Sequence, residues 1–266
     1  MKEKVTLRDI AKEAGVSVAT VSYVLNNRDD QCISQATRNK ILQIVNLHGY
    51  KLNFSAKRIS SGRSNIVALY FGEHTFSLHK AEHLLLIDRL STFLAQNGLS
   101  LSVVSDNKIA RLDYCDAIVC CETDVEFFNA LGNANFCPLI ALNTVVDNTW
   151  LFYQINTDFE NVRRIADEIY GNDYCVVSFP VVSEQLKKRI TDAFEEVVFA
   201  DSYETLDKLD GKNLVVLGET LGEYCKRFAK DILTIDIFNA EKLRKLFECI
   251  VITVKRKEGI NHDIRI

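Results

Sequence analysis

Two sets of residues in this chain have types and spacings that could do chemistry. Ala11, Gly15 and Val21 keep the A-x3-G-x5-V spacing of a helix-turn-helix. A small side chain lets two helices approach, glycine admits the backbone angles of the turn, and valine packs the second helix onto the first. A second helix starting at Val18 would line up Val18, Ser22 and Asn26 along one edge, because residues i, i+4 and i+8 share a face. Such an edge can read base edges through methyl and amide groups, although many ordinary helical hairpins share the three-residue spacing. The second set, His79, Glu82 and His83, reads H-x-x-E-H, which puts two imidazoles on one helical face and recurs in some zinc peptidases. The sequence assigns it no third ligand. No metal or cofactor is therefore expected, and the motif is read as plain helix surface, with a ligand-contacting histidine as the alternative. No glycine-rich phosphate loop or Ser/His/Asp set appears, so no residue is assigned a catalytic role and the chain is not read as an enzyme.

Both sets need elements to hold them. Thr6 with Asp9 makes a capping-box-like start for a helix whose apolar stripe is Leu7, Ile10, Ala11 and Ala14, ended by Gly15. Ser17 caps a second helix, Val18 to Leu25. Ser34 caps a third, with Ile41, Leu42, Ile44, Val45 and Leu47 at helical spacing up to His48-Gly49. Asn53 can cap a fourth, short helix carrying Ala56, Lys57 and Ile59, closed by Gly62.

From Ile66 onward, short apolar runs alternate with amphipathic segments, the pattern of βαβ units in a mainly parallel sheet. Strands are predicted at 66–71, 99–105, 116–121, 138–143, 174–179, 196–200, 213–218 and 232–238, and helices at 80–97, 125–132, 158–170, 184–195, 219–230 and 240–248. That is more than one compact sheet usually carries, so two α/β lobes are expected, with the first crossing near 157. The predicted domains are 1–50, a linker at 51–64, and a body over 65–266.

Charge divides the chain in the same place. Residues 1–64 hold 11 Lys/Arg and 5 Asp/Glu, a net of +6, and the rest holds 21 against 31, a net of −10. A basic head on an acidic body points to a polyanion partner for the head alone. No stretch approaches the roughly 18 apolar residues of a membrane helix, and the N-terminus lacks an apolar export segment. The expectation is a cytoplasmic protein with no membrane partner. Cys115, Cys120, Cys121, Cys137, Cys175 and Cys249 lie in or beside apolar runs without CxxC spacing, which fits reduced core thiols.

Three ordered blocks, VTLRDIAKEAGVSVATVSYVLNN, ISQATRNKILQIVNLHGY and NFSAKRISSGRSNIVALYF, together resemble the headpiece, third helix and hinge of the lac repressor/galactose repressor family of bacterial transcription regulators. The resemblance is close over residues 5–71 and looser beyond. It implies a second helix lying in the major groove with Val18, Ala19, Ser22, Tyr23 and Asn26 toward the bases. Val18 and Ala19 suit a thymine methyl, and Tyr23 takes a place often filled by arginine, the commonest bidentate partner of guanine. Thr6, Ser17, Thr20, Ser34, Thr37 and Tyr50 match hydroxyl positions that contact phosphates in the family. Asn53, Ala56, Lys57 and Ile59 match a hinge helix that enters the minor groove paired with its copy in a homodimer, Ile59 supplying the apolar wedge.

The implied fold is thus α plus α/β: a helix-turn-helix headpiece and hinge helix, then a shortened, two-lobed, periplasmic-binding-protein-like effector domain. Its cleft would lie at the C-terminal ends of the strands, near Phe71, Glu122, Asn143, Gly218 and Asp236, with Arg189 near the place of a sugar-binding arginine. The best apolar alignment puts Leu186 in that place instead. Two contractions reshape the body. Between Val104 and Cys115 there is too little chain for a usual helix, and between Phe238 and Ala240 a long segment returning between the lobes is missing. The function expected is that of a repressor bound as a homodimer to a palindromic double-stranded operator, with a small-molecule effector that is either not an ordinary hexose or absent. The alternatives are a body that only dimerises or binds a protein partner, and a ligand-binding or enzymatic body fused to a DNA-binding head.

Overall fold

The computed structural model describes residues 5–25, 28, 31–48, 63–105, 108–146, 152–255 and 261–266. The chain divides between residues 62 and 63 into two compact units.

The first unit is built on three helices, α1 (Leu7–Ala14), α2 (Val18–Leu25) and α3 (Gln35–Leu47). Thr6 and Asp9 form a reciprocal capping box, Asp9 accepting from the Thr6 amide at 2.8 Å and Thr6 Oγ1 from the Asp9 amide at 3.4 Å. Gly15 ends α1 in the left-handed region at φ 71°, where a Cβ would be strained. That turn carries the chain directly into α2, whose Val21 and Val24 face Ile10, Ala11, Ala14, Ile41, Ile44 and Val45 in one small core. The third helix uses less of its apolar stripe than its sequence offers, since Leu42 and Leu47 are exposed.

The second unit contains two sheets, every pairing of which is parallel. The first runs in the order β10-β5-β4-β3-β1-β2 and the second β7-β6-β8-β9. The strands are β1 (Ile66–Phe71), β2 (Ser100–Val104), β3 (Ala117–Cys121), β4 (Leu139–Leu142), β5 (Tyr153–Asn156), β6 (Cys175–Ser178), β7 (Val197–Phe199), β8 (Asn213–Leu217), β9 (Asp231–Ile235) and β10 (Asp263–Arg265). The helices are α4 (Ser77–Gln96), α5 (Val125–Ala134), α6 (Phe159–Tyr170), α7 (Glu184–Ala193), α8 (Tyr203–Asp207), α9 (Glu219–Cys225) and α10 (Ala240–Val254). The chain leaves the first sheet after Asn156 and returns through Phe238-Asn239, where Asn239 caps α10 by accepting from the Lys242 amide at 2.9 Å. Two passages therefore join the lobes among the described residues.

The first contraction is accommodated without a helix among the described residues between β2 and β3. Leu112 and Cys115 are buried in the cluster that includes Tyr70, Ile118 and Phe128. The side chain of Asn135 holds this shortcut, its Oδ1 accepting from the Leu112 amide at 2.7 Å and its Nδ2 donating to the Ala110 carbonyl at 2.9 Å. A buried amide whose donors and acceptor are all used fixes a loop that has no helical ladder of its own. All eight cysteines are free thiols, and six of them are buried.

Besides β10, whose INHDIRI segment resembles the final strand of the lac repressor/galactose repressor family, two short elements were absent from the predicted set, α8 and β5. The second has a physical reason. Its sequence YQIN places Gln154 and Asn156 where an apolar run was sought, yet both side chains are buried. Gln154 accepts from the Val146 amide at 2.8 Å and donates to Asp263 at 2.8 Å, so its burial carries no unpaired amide.

Candidate functional site

Two regions gather the residues singled out in the sequence. In the head, α2 buries Val21 and Val24 and turns the opposite face outward, with Val18 41% exposed, Ala19 exposed, and Ser22 and Tyr23 half-buried. Val18 thus offers its methyls to solvent and does not pack the core. The hydroxyls gather at helix N-termini. Thr6 caps α1, Ser17 accepts from the Thr20 amide at 3.0 Å, and Ser34 accepts from the Thr37 amide at 3.2 Å. In the last two, the Ser and Thr oxygens lie 2.9 Å apart in the same arrangement. Each cap also satisfies one of the amides that a helix start leaves unpaired. Asn26, Tyr50, Asn53, Ala56, Lys57 and Ile59 lie outside the described residues.

In the body, the strand ends bring polar residues together. The chain turns sharply after β3 and β4, where Glu122 and Asn143 hold left-handed φ values of 54° and 47°, an uncommon conformation for residues with a Cβ. Gly72 crosses so close above Glu122 that a Cβ on it would stand 2.0 Å from the Glu122 carbonyl oxygen. Glu122 Oε2 then accepts from His79 Nε2 at 2.7 Å and His83 Nε2 at 2.8 Å, and His74 Nε2 stands 3.7 Å away. Phe71 stacks on His83 at 4.1 Å and Phe179 on His79 at 4.2 Å between ring centroids. Burial alone would raise the Glu122 carboxyl, but the charge and hydrogen bonds of His79 and His83 hold it well below its ordinary range. Burial, together with the neighbouring His79 charge, pushes the His74 imidazole down to about 4.

This corrects the sequence reading of the H-x-x-E-H motif as plain helix surface. His79 and His83 do share one face of α4, as their spacing predicts, but they are buried, not on the surface. Glu82, the third member of the motif, turns to the other lobe. Its carboxylate accepts from the backbone amides of Glu219 at 3.0 Å and Thr220 at 2.8 Å, and from Thr220 Oγ1 at 2.7 Å. It thereby caps α9 across the lobe boundary, where a negative charge suits a helix N-terminus. Gly218, at φ 127°, leaves room for this approach: a Cβ there would meet Phe179 at 3.1 Å and the Glu82 carboxyl at 3.4 Å. His74 was missed. The available signal was that three of the chain's five histidines fall within residues 74–83.

The other cleft candidates do not converge on one pocket. Glu122 and Asn143 line a cavity of about 40 Å³ between the lobes, together with Phe179, Leu186 and Ile237. Asp236 borders an open groove of about 840 Å³ between α4 and α9 and pairs with Arg89 at 3.1 Å. Arg189 faces a third hollow beside Arg163 and Arg265 and lies 3.5 Å from Asp263. Leu186, not Arg189, reaches the inter-lobe cavity. Lys242 went unnoticed in the sequence. It is wholly buried, donating to Thr157 Oγ1 at 2.8 Å and Asn143 Oδ1 at 3.1 Å, and burial lowers its amine to about 7 against the opposing pull of Cys121, Asp236 and Glu122.

Comparison with known proteins separates the two regions as well. Residues 6–53 match the family model of bacterial regulatory proteins, lacI family. The HTH-type transcriptional regulator GalS of Salmonella typhimurium is 43% identical over 65 residues, 24% of this chain and 18% of that one. The catabolite repressor/activator of Escherichia coli K12 is 25% identical over 177 residues, 61% of this chain and 52% of that one. The matched segments therefore span between about a fifth and a half of these curated relatives. Among solved structures, a lac repressor dimer bound to operator and the anti-inducer ONPF superposes with a TM-score of 0.61 at 14% identity, covering 99% of this chain and 96% of that one. At that identity the likeness is one of fold. No helix among the described residues is long and apolar enough to cross a membrane.

Proposed function

We propose, from the match of residues 6–53 to the family model of bacterial regulatory proteins, lacI family, that the chain is a sequence-specific DNA-binding transcriptional repressor, acting in the cytoplasm as a homodimer on a palindromic operator. The observation that carries this reading is the outward face of α2, with Val18, Ala19, Ser22 and Tyr23 opposite the buried Val21 and Val24. An α-helix presented that way fits the major groove. Thr6, Ser17, Thr20, Ser34 and Thr37, gathered at three helix N-termini, are placed to hold phosphates. Asn26, Tyr50, Asn53, Ala56, Lys57 and Ile59 take groove, phosphate and hinge roles by resemblance. Selection of bound sites from random duplexes by the full chain tests the reading, and it should return a two-fold symmetric site. Tyr23→Arg should shift one position per half-site toward guanine, with about 1–3 kcal/mol at stake. Recovery of no preferred sequence would overturn it.

Phe71, Glu122, Asn143 and Gly218 are the cleft residues this reading retains for a ligand. Arg189 and Asp236 have protein partners and face other hollows. The cavity of about 40 Å³ is far below the roughly 300–1,000 Å³ of an organic-ligand pocket. That favours a ligand smaller than a hexose, or a second reading in which the body only dimerises or binds a protein partner. A saturable rise in melting temperature with glucose, galactose or ribose would restore a sugar pocket.

A further inference from the structure

We propose that His74, His79, His83 and Glu122 form a binding site for one divalent transition-metal ion, with zinc the ion that best fits the donor set. The site would supply the small ligand of the cleft. As a regulatory ligand it rests on the function proposed above, whereas metal binding itself is measured without DNA, so the two readings can fail separately.

The geometry comes first. His79 and His83, one turn apart on α4, project from one face. His74 reaches them from the segment between β1 and α4, and Glu122 from the end of β3. Their four ligand atoms all lie within 4.8 Å of one another. A tetrahedral ion with bonds of about 2.0–2.2 Å holds its ligands roughly 3.3–3.6 Å apart. The distances from Glu122 Oε2 to the three imidazole nitrogens, 2.7, 2.8 and 3.7 Å, straddle that spacing, so side-chain adjustment of about an ångström suffices. Three imidazoles and one carboxylate suit zinc, cobalt or nickel, and not magnesium or calcium, which take oxygen shells.

A buried hydrogen-bonded cluster accounts for His79 and His83, both of which donate to Glu122. It does not account for His74, whose side chain is 94% buried and whose Nε2, turned toward Glu122, has no hydrogen-bond partner. Such a group is costly to bury unless something completes it. The rings are held in place by Phe71 and Phe179, and Glu122 is held in a left-handed turn under Gly72. A peptidase reading is excluded by Glu82, the residue that would serve as base. Its carboxylate is taken up by the N-terminus of α9. Phe179 comes from the second lobe, so any reorientation of His79 around an ion is felt at the lobe boundary.

The test uses the full chain stripped with a chelator, then titrated with Co²⁺ and Zn²⁺. One equivalent of Co²⁺ should give the visible bands of a tetrahedral site, Zn²⁺ should displace it, and saturating Zn²⁺ should raise the melting temperature by roughly 5 °C or more. His74→Gln and His83→Gln should each weaken Zn²⁺ binding at least a hundredfold, while Cys32→Ser, at an exposed thiol of the head, should leave it unchanged. Wild-type affinity in both histidine variants, or loss of binding in Cys32→Ser, would overturn the proposal. Should a histidine variant fail to fold, X-ray absorption on the zinc-loaded wild-type chain decides. A shell of nitrogen and oxygen with three imidazoles supports the site. Sulfur in the shell, or no stoichiometric uptake, refutes it.

Discussion

The head and the cleft of the body put polar side chains to opposite uses. In the head, Thr6, Ser17 and Ser34 each serve an amide three residues away and remain at the surface. The core beneath them is wholly apolar. In the cleft, Glu82, Glu122, His79, His83 and Lys242 are turned inward and satisfied by partners 39 to 138 residues distant. Local satisfaction leaves a surface free to meet another molecule. Distant satisfaction spends those groups on joining elements, and makes the cleft sensitive to whatever changes their pairing.

The contrast is broken most severely at Glu82. Its removal strands the backbone amides of Glu219 and Thr220 at a half-buried helix start, Thr220 Oγ1 keeping the Leu78 carbonyl, so Glu82→Ala should lower the stability of the body by about 3–5 kcal/mol, read by urea denaturation. A loss under 1 kcal/mol would mean that the carboxylate does not hold α9. The corresponding blow to the head is Ile10→Ala, which deletes a fully buried side chain from a core of eight buried residues and should cost about 2–5 kcal/mol. Because Ile10 packs within the head's own core, DNA binding should fall while the unfolding of the body stays where it was. A shifted body transition would show that the loss is not confined to the head.

A third experiment tests the inward-facing charge. Lys242 has a folded-state value of about 7 against an ordinary 10.5, so between those pH values the unfolded chain binds the extra proton. Stability should therefore rise with pH across that window, and the part due to Lys242 is lost again as pH falls toward 7. Lys242→Met should remove that part, about 2 kcal/mol between pH 7.5 and 9.5. An unchanged slope would show that Lys242 stays charged in the fold. The smallest effect belongs to the head's surface. Ser17→Ala should destabilise the head by about 1 kcal/mol, seen as a modest shift in its thermal midpoint and nothing in the body.

What could be read from the sequence follows the same division. The capping box at Thr6 and Asp9, the turn at Gly15 and the caps at Ser17 and Ser34 depend on spacings of a few residues, which a sequence displays directly. The buried strands at Ile66–Phe71, Ala117–Cys121 and Asn213–Leu217 were legible as apolar runs. The YQIN strand was not, because its Gln154 amide is paired by Val146 and Asp263, residues that no local pattern connects to it. The cleft was half visible. His79 and His83 announce a shared face, but Glu122 joins them only through the order of strands in the sheet, and Glu82 could not be seen leaving the motif to cap a helix 137 residues away. Lys242 was hidden for the same reason, being a charged residue near the start of an amphipathic helix whose polar partners, Asn143 and Thr157, lie just past the ends of β4 and β5.

The reach of Glu82 also bears on the order in which the molecule assembles. Each parallel sheet can be completed from its own strands, but the contact between Glu82 and Thr220 closes a loop of 138 residues and requires both lobes to exist first. Contacts of such separation form late, since the entropy of closing the loop is lost before the contact compensates it. The seam between the lobes is then nearly unformed at the folding barrier. Changes there should act on how fast the native body comes apart, leaving the rate at which each lobe folds almost untouched. The carboxylate that fastens the seam sits beside His83 and one turn from His79, so the step that finishes folding and the step that would answer a ligand meet on the same stretch of helix.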